Sequence, residues 1–116
     1  MHINHCRPVD SLYLMGISYQ YESKPCYHVK LEDEVNNTIE IKIWQLPEPT
    51  EDKAHGYKYS LVYIVEGERV IGYDNGEGKE DHRHYRETEK PYRFKDINTV
   101  LEDFYKDIEL YKGGRL

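Results

Sequence analysis

The sequence is short of cationic charge, of cysteine and of long apolar runs, and each shortage narrows what the chain can be. Sixteen Lys and Arg stand against 22 Asp and Glu, a formal net charge of -6. That balance argues against nonspecific adhesion to nucleic acid, which depends on many basic contacts to phosphates; a local basic patch remains compatible with it. The two cysteines, Cys6 and Cys26, form no C-x-x-C motif and can pair only if the fold brings them together. A reduced, cytoplasmic protein is the simpler expectation. No apolar stretch approaches the roughly 20 residues a membrane span needs, and Met1 to Arg7 does not resemble a signal peptide, so no membrane partner is expected. Internal repeats, low-complexity tracts and long Pro or Ser linkers are also missing. A chain of 116 residues then reads as a single domain, 1–116.

What the sequence has is tyrosine and alternation. There are 12 Tyr against 2 Phe, and Tyr suits a half-buried sheet and a binding face equally well. Ser11 to Tyr21 and Cys26 to Leu31 are rich in aromatic and β-branched residues and read as strands. Thr38 to Leu46 alternates cleanly, with Ile39, Ile41 and Ile43 on one side and Glu40 and Lys42 on the other. Pro47 and Pro49 end that strand. Tyr57 to Val65 and Arg69 to Tyr73 follow as a tight hairpin about Glu66, Gly67 and Glu68. A regular ladder would put Tyr57, Tyr59, Leu61, Tyr63 and Val65 on one face with Val70, Gly72 and Asp74, and Lys58, Val62 and Ile64 on the other with Arg69, Ile71 and Tyr73.

Asp96 is placed to cap a helix. Ile97, Val100, Leu101, Phe104 and Ile108 then recur at spacings of three and four, with Gly113 and Gly114 beyond. The expected class is α+β: a mostly antiparallel β-sheet of about five to six strands with a C-terminal amphipathic helix packed on one face. A β-barrel is the weaker alternative.

Ionisable groups concentrate from Tyr73 to Arg86, directly after a strand, where sites are commonly built. If residues 81–86 are extended, His82, His84 and Arg86 point to one side and Arg83 and Tyr85 to the other. Two imidazoles and a guanidinium suit phosphodiester chemistry. One imidazole takes a proton from a ribose 2'-hydroxyl, a second acid protonates the leaving oxygen, and Arg or Lys offsets charge growing on phosphate. RNA supplies its own nucleophile, so the scheme needs no cofactor and no metal. The bland alternative is a His-x-His on an exposed strand flanked by solvated charges. A metal reading takes His82 and His84 with His55 or Asp74 as a third ligand. The loop from Asp74 to Lys79 fails the spacing of a phosphate loop and of an EF-hand, and reads better as a glycine-relaxed turn.

The ordered series Ile41 to Trp44, Pro47, His55 to Tyr59, Gly67 to Val70, Tyr73 to Asn75, Gly78-Lys79, His82 to Tyr85 and Pro91 to Phe94 resembles the TumE toxin family, most clearly over residues 38–108. The resemblance implies a small prokaryotic toxin made with a helix-turn-helix antitoxin that binds and silences it, either party also leaving room for a homodimer or a hetero-oligomer. RNA cleavage that stops translation is common among small toxins of such modules, so an RNA substrate follows by analogy.

On this reading one of His82 and His84 is the general base and the other the acid, and Asp74 orients a histidine or holds the loop. Arg69, Lys79 and Arg86 contact phosphate, and Tyr73, Asn75, Arg83 and Tyr85 touch substrate. A non-catalytic toxin that holds RNA or protein on its Tyr-rich face is the first alternative. Transfer of a nucleotidyl or other group is the second.

Overall fold

The computed structural model describes residues 25–76 and 78–116. The strand expected at 11–21 lies outside them, as do Cys6 and the N-terminal histidines. Cys26, just ahead of the first described strand, is disulfide-bonded, so the reduced reading does not hold there; spacing alone carries no record of which segments a fold brings together.

Six strands are described: β1 (Tyr27–Glu32), β2 (Thr38–Gln45), β3 (Tyr57–Val65), β4 (Glu68–Asp74), β5 (His82–Tyr85) and β6 (Thr88–Pro91), followed by helix α1 (Ile97–Lys112). Each strand pairs antiparallel with the next, so sheet order equals chain order. The α+β architecture is the expected one. No helix among the described residues is long and apolar enough to cross a membrane.

The alternation in β2 does what its pattern implies: Ile39, Ile41 and Ile43 are buried while Glu40 and Lys42 lie on the other side. The side chain of Asp96 accepts the Thr99 N-H at 2.7 Å, capping α1. Ile97, Val100, Leu101, Phe104 and Ile108 are then buried against the sheet with Leu61, Tyr63, Ile71 and Tyr73. Each such side chain contributes about 1.5–3 kcal/mol of burial.

Tyrosine rather than phenylalanine fills this interface because each ring ends beside a carboxylate. The Tyr59, Tyr63, Tyr73 and Tyr92 hydroxyls donate to Asp81, Asp33, Asp107 and Asp103 at 2.6, 2.6, 2.6 and 2.5 Å. A buried hydroxyl without a partner would cost free energy, and a carboxylate on the helix or a loop meets that need while tying it to the sheet. Tyr59 and Tyr63 are 1% and 0% exposed, so the Tyr-rich face is a helix-packing face and not an open binding surface.

The β3–β4 connection is the two-residue turn Glu66-Gly67, with φ of 51° and 77°. Both values fit the type I' turn that matches strand twist. Glu66 is a poor occupant of left-handed backbone, which costs an ordinary residue roughly 1–2 kcal/mol. Glu66→Asn is therefore expected to raise stability by about 0.5–1 kcal/mol, read as a higher urea midpoint. A lower midpoint would contradict the turn assignment.

The register of this hairpin departs from a regular ladder. Val65 pairs with Glu68 and Ile64 with Arg69, but Tyr63 then pairs with Ile71, so Val70 is an extra residue on β4. A β-bulge of this kind reverses the facing of everything beyond it. Ile71 and Tyr73 turn toward α1, and Asp74 turns to the opposite face, the reverse of the regular-ladder expectation.

Candidate active site on the face opposite the helix

The bulge decides which groups meet. Beyond it Gly72 lies across from His84 and Asp74 across from His82. Asp74, His82 and His84 thus share the face away from α1, while the intervening Tyr73 and Arg83 face the helix. Glu89 of β6, paired with His84, joins them.

His84 is the centre of the group. Its Nδ1 lies 3.3 Å from Arg69 Nη2, and its Nε2 lies 3.0 Å from Asp74 Oδ2. A guanidinium can only donate, so Nδ1 accepts and the imidazole proton resides on Nε2, facing the carboxylate. The Nε2 contact is at ion-pair distance without hydrogen-bond alignment, leaving that buried atom without a formal partner. Arg69 itself approaches Asp74 only loosely, at 4.0 Å.

Arg69 reaches this position by lying across Gly72. A Cβ at Gly72 would stand 3.1 Å from Arg69 Cδ, closer than neighbouring carbon atoms pack comfortably. A side chain at this position would displace Arg69 from its place across the strand.

His82 sits beside this group, its ring centroid 6.5 Å from that of His84. Its Nε2 faces Glu89 Oε1 at 3.7 Å, and its Nδ1 is buried with no hydrogen-bond partner. The His82 side chain is 23% exposed against 10% for His84, so His82 is the imidazole that a ligand can reach. Both are more enclosed than a surface-placed strand end would be. Sequence reasoning passed over Glu89, because it reads as one more charge on an exposed edge.

The other expected residues lie elsewhere. Arg83 Nε donates to Asp107 Oδ2 at 2.7 Å and to the Tyr73 hydroxyl at 3.1 Å, under the helix. Those bonds, the Asp107 one foremost, hold the guanidinium pKa above its ordinary value. Tyr73 is 2% exposed, and burial followed by its bond to Asp107 pushes its hydroxyl up. Asn75 is fully buried. Its amide accepts from Tyr59 N at 2.9 Å and donates to Tyr57 O at 2.8 Å, clamping the start of β3. The Tyr85 hydroxyl donates to Leu116 O. Arg86 lies over the rings of Tyr85 and Tyr111, so the turn carries it to the helix side, away from His82 and His84. Lys79 is exposed in the loop, its backbone N-H bonded to Gly76 O.

His55 is also on the helix side and does not converge with the other histidines. Its Nδ1 accepts the Tyr57 N-H at 3.1 Å, its Nε2 contacts Asp81 at 3.0 Å, and its ring stacks on Phe94 at 3.7 Å. Both nitrogens are committed, so the ring anchors a loop and has no lone pair to offer a metal. Among the described residues no group of three His, Cys, Asp or Glu side chains is arranged to hold an ion. The set His55, His82 and His84 is not assembled.

The buried carboxylates set the acid limit of the fold. Burial by itself would raise Asp33, but bonds from the Tyr63 hydroxyl, two backbone N-H groups and Lys112 outweigh it and bring its pKa to about 2. Asp81 is likewise burdened by burial yet held low by His55 and Tyr59. A depressed carboxylate stabilises the fold fully above its unfolded pKa, and that stabilisation disappears as pH falls through the folded one. Urea unfolding midpoints are expected to be level above about pH 5 and to fall steadily from pH 4 toward pH 2. A midpoint that stays constant over that range would show these carboxylates to be unimportant.

A family model described as Toxin TumE matches residues 10–111. No curated protein and no solved structure matches the chain.

Proposed function

Because the chain belongs to the TumE toxin family and is thus the toxin of a toxin-antitoxin module with a cognate antitoxin, we propose that it acts in the cytoplasm as a metal-independent ribonuclease that stops translation. The observation that carries this reading is His84 held between Arg69 and Asp74, with His82 exposed beside it. His82 accepts the proton of a ribose 2'-hydroxyl. The freed 2'-oxygen attacks the adjacent phosphorus, the bond to the 5'-oxygen breaks, and that oxygen takes up a proton, leaving a 2',3'-cyclic phosphate and a 5'-hydroxyl.

His84 directs its Nε2-H at the carboxylate; once Arg69 leaves Nδ1 for the substrate phosphate, Nδ1 takes up a proton, and the resulting imidazolium gives its Nε2 proton to the leaving oxygen. Asp74 shields that proton in the resting state. The loose Arg69–Asp74 contact is the one a substrate phosphate replaces, since a guanidinium binds phosphate well and its charge offsets the charge developing on the phosphoryl oxygens. Arg69 and Asp74 thus change partners when RNA enters.

Expression of the chain alone is expected to arrest growth, and co-expression of its antitoxin, which we take to be a helix-turn-helix protein, to restore it. The purified toxin at trace concentration should cut RNA with turnover in EDTA, over a bell-shaped pH profile, because the two imidazoles must act in different protonation states. A band shift with intact RNA would favour the binding alternative, and transfer of label from a nucleotide would favour group transfer. Normal growth at verified soluble expression would contradict the toxin role.

A further inference from the structure

On the helix side of β5 lies a groove of about 540 Å³, lined by Asn37, Tyr85, Arg86, Tyr111 and Lys112 among others. Its chemistry is set by Arg86. The guanidinium carbon is 5.6 Å from the Tyr85 ring and 5.9 Å from the Tyr111 ring, and those phenols, Tyr85 foremost, hold its pKa high. Arg69 and Arg83 each face an aspartate. Arg86 faces none among the described residues. Lys112, across the groove, is occupied by Asp33 and Glu34 at 3.4 and 2.8 Å, so Arg86 is the cation left to receive an anion here.

Arg86 occupies the two-residue β5–β6 turn with φ of 53°, its N-H bonded to the carbonyl of the bulge residue Val70 at 2.8 Å. Glycine or asparagine would hold that conformation with less strain. Glu66 shares that backbone; what sets Arg86 apart is that its exposed side chain rests on two aromatic rings and lines a groove.

We propose that this groove is a phosphate-ester site, in which Arg86 grips the phosphate with two N-H donors, the Tyr111 hydroxyl supplies a third and the aromatic floor takes the attached nucleoside. The site lies on the opposite face of β5 from His82 and His84. It binds rather than cleaves. Where the phosphate belongs to an RNA chain, the groove holds a nucleotide distant from the bond that His82 and His84 act on, and that part rests on the ribonuclease reading. Guanidinium recognises phosphate in a planar, bidentate manner, and nucleobases stack on tyrosine and arginine planes, which favours a nucleotide over an acidic peptide.

The test is a titration of the full chain, followed by NMR, with inorganic phosphate, 5'-AMP and an oligoribonucleotide made uncleavable by 2'-deoxy substitution. The Tyr85, Tyr111 and Arg86 resonances should shift with 5'-AMP and with the oligonucleotide. Tighter binding of the oligonucleotide identifies the ligand as an RNA phosphate, whereas tighter binding of 5'-AMP identifies it as a free nucleotide; both uphold a phosphate-ester site. Arg86→Asn should weaken nucleotide binding tenfold or more while melting no lower than the parent, because asparagine relieves the left-handed backbone. A purely structural arginine predicts the reverse, a lower melting temperature with unchanged affinity, and that result overturns the proposal. So does the absence of binding, or binding of a Glu-rich peptide in place of the phosphate esters. The 5'-AMP titration of the groove does not depend on the catalytic histidines, so binding without cleavage contradicts only the ribonuclease reading, and cleavage without binding contradicts only the groove.

Discussion

Asp107→Ala is expected to lower folding stability by about 2–4 kcal/mol, somewhat below the 3–5 kcal/mol typical of breaking a fully buried pair. The carboxylate lies on α1 and accepts from the Tyr73 hydroxyl at 2.6 Å and from Arg83 Nε at 2.7 Å. Its removal leaves the Arg83 guanidinium and the Tyr73 phenol under the helix with only each other, the positive charge no longer balanced. The discount arises because the Arg83 side chain is 29% exposed, against 10% for Asp107, so solvent recovers part of the loss.

Arg83→Ala should cost less than Asp107→Ala, since Tyr73 still meets the remaining carboxylate. Pairing Arg83→Met with Asp107→Leu should restore much of the loss, as apolar replacement of a buried ion pair often does. Denaturant midpoints of the three variants decide the matter. Equal stability of Asp107→Ala and the parent would mean that the helix is held by its apolar stripe alone. The Arg83 variant, assayed as folded protein, should retain toxicity, which separates its structural role from the substrate contact that its place in the sequence suggests.

Arg83 illustrates how far a sequence can be read. The pattern Arg83-His84-Tyr85 states that alternate residues face opposite ways, and it was correct on that point: His82 and His84 share one face, Arg83 and Tyr85 the other. It does not say which face is covered. The helix stripe Ile97, Val100, Leu101, Phe104 and Ile108 was legible because its period of 3.6 is a local property. Asp107, on the same buried side, was invisible, since a carboxylate earns a buried place only through partners on another element.

The β-bulge at Val70 is the other limit. The hairpin about Glu66, Gly67 and Glu68 was evident from composition, and a regular ladder from either two-residue turn places Asp74 with the core tyrosines. One extra residue reverses this and delivers Asp74 to the histidines. Bulges have no reliable local signature in a run such as Arg-Val-Ile-Gly-Tyr, where each residue is a fair strand former or a tolerated glycine. Arg86 failed to join the histidines for a similar reason: the strand turns at that residue, and the extended geometry that would align it ends one position earlier.

His82 is the residue on which the functional account depends. Its ring is the accessible imidazole of the group, and one buried nitrogen has no partner to lose. Truncation should therefore remove proton transfer without removing a structural bond. General acid-base groups contribute about 10²–10⁴-fold to rate, so His82→Ala should cut RNA slower by that factor. His84→Ala should fall as far and also melt slightly lower, because Arg69 and Asp74 lose the ring that lies between them.

The most direct measurement is the RNA cleavage rate of antitoxin-free His82→Ala in EDTA, beside the parent protein and with the melting temperature of each recorded. The account predicts a rate lower by about 10²–10⁴-fold at an unchanged melting temperature. Cleavage at the parental rate by the folded variant would contradict it.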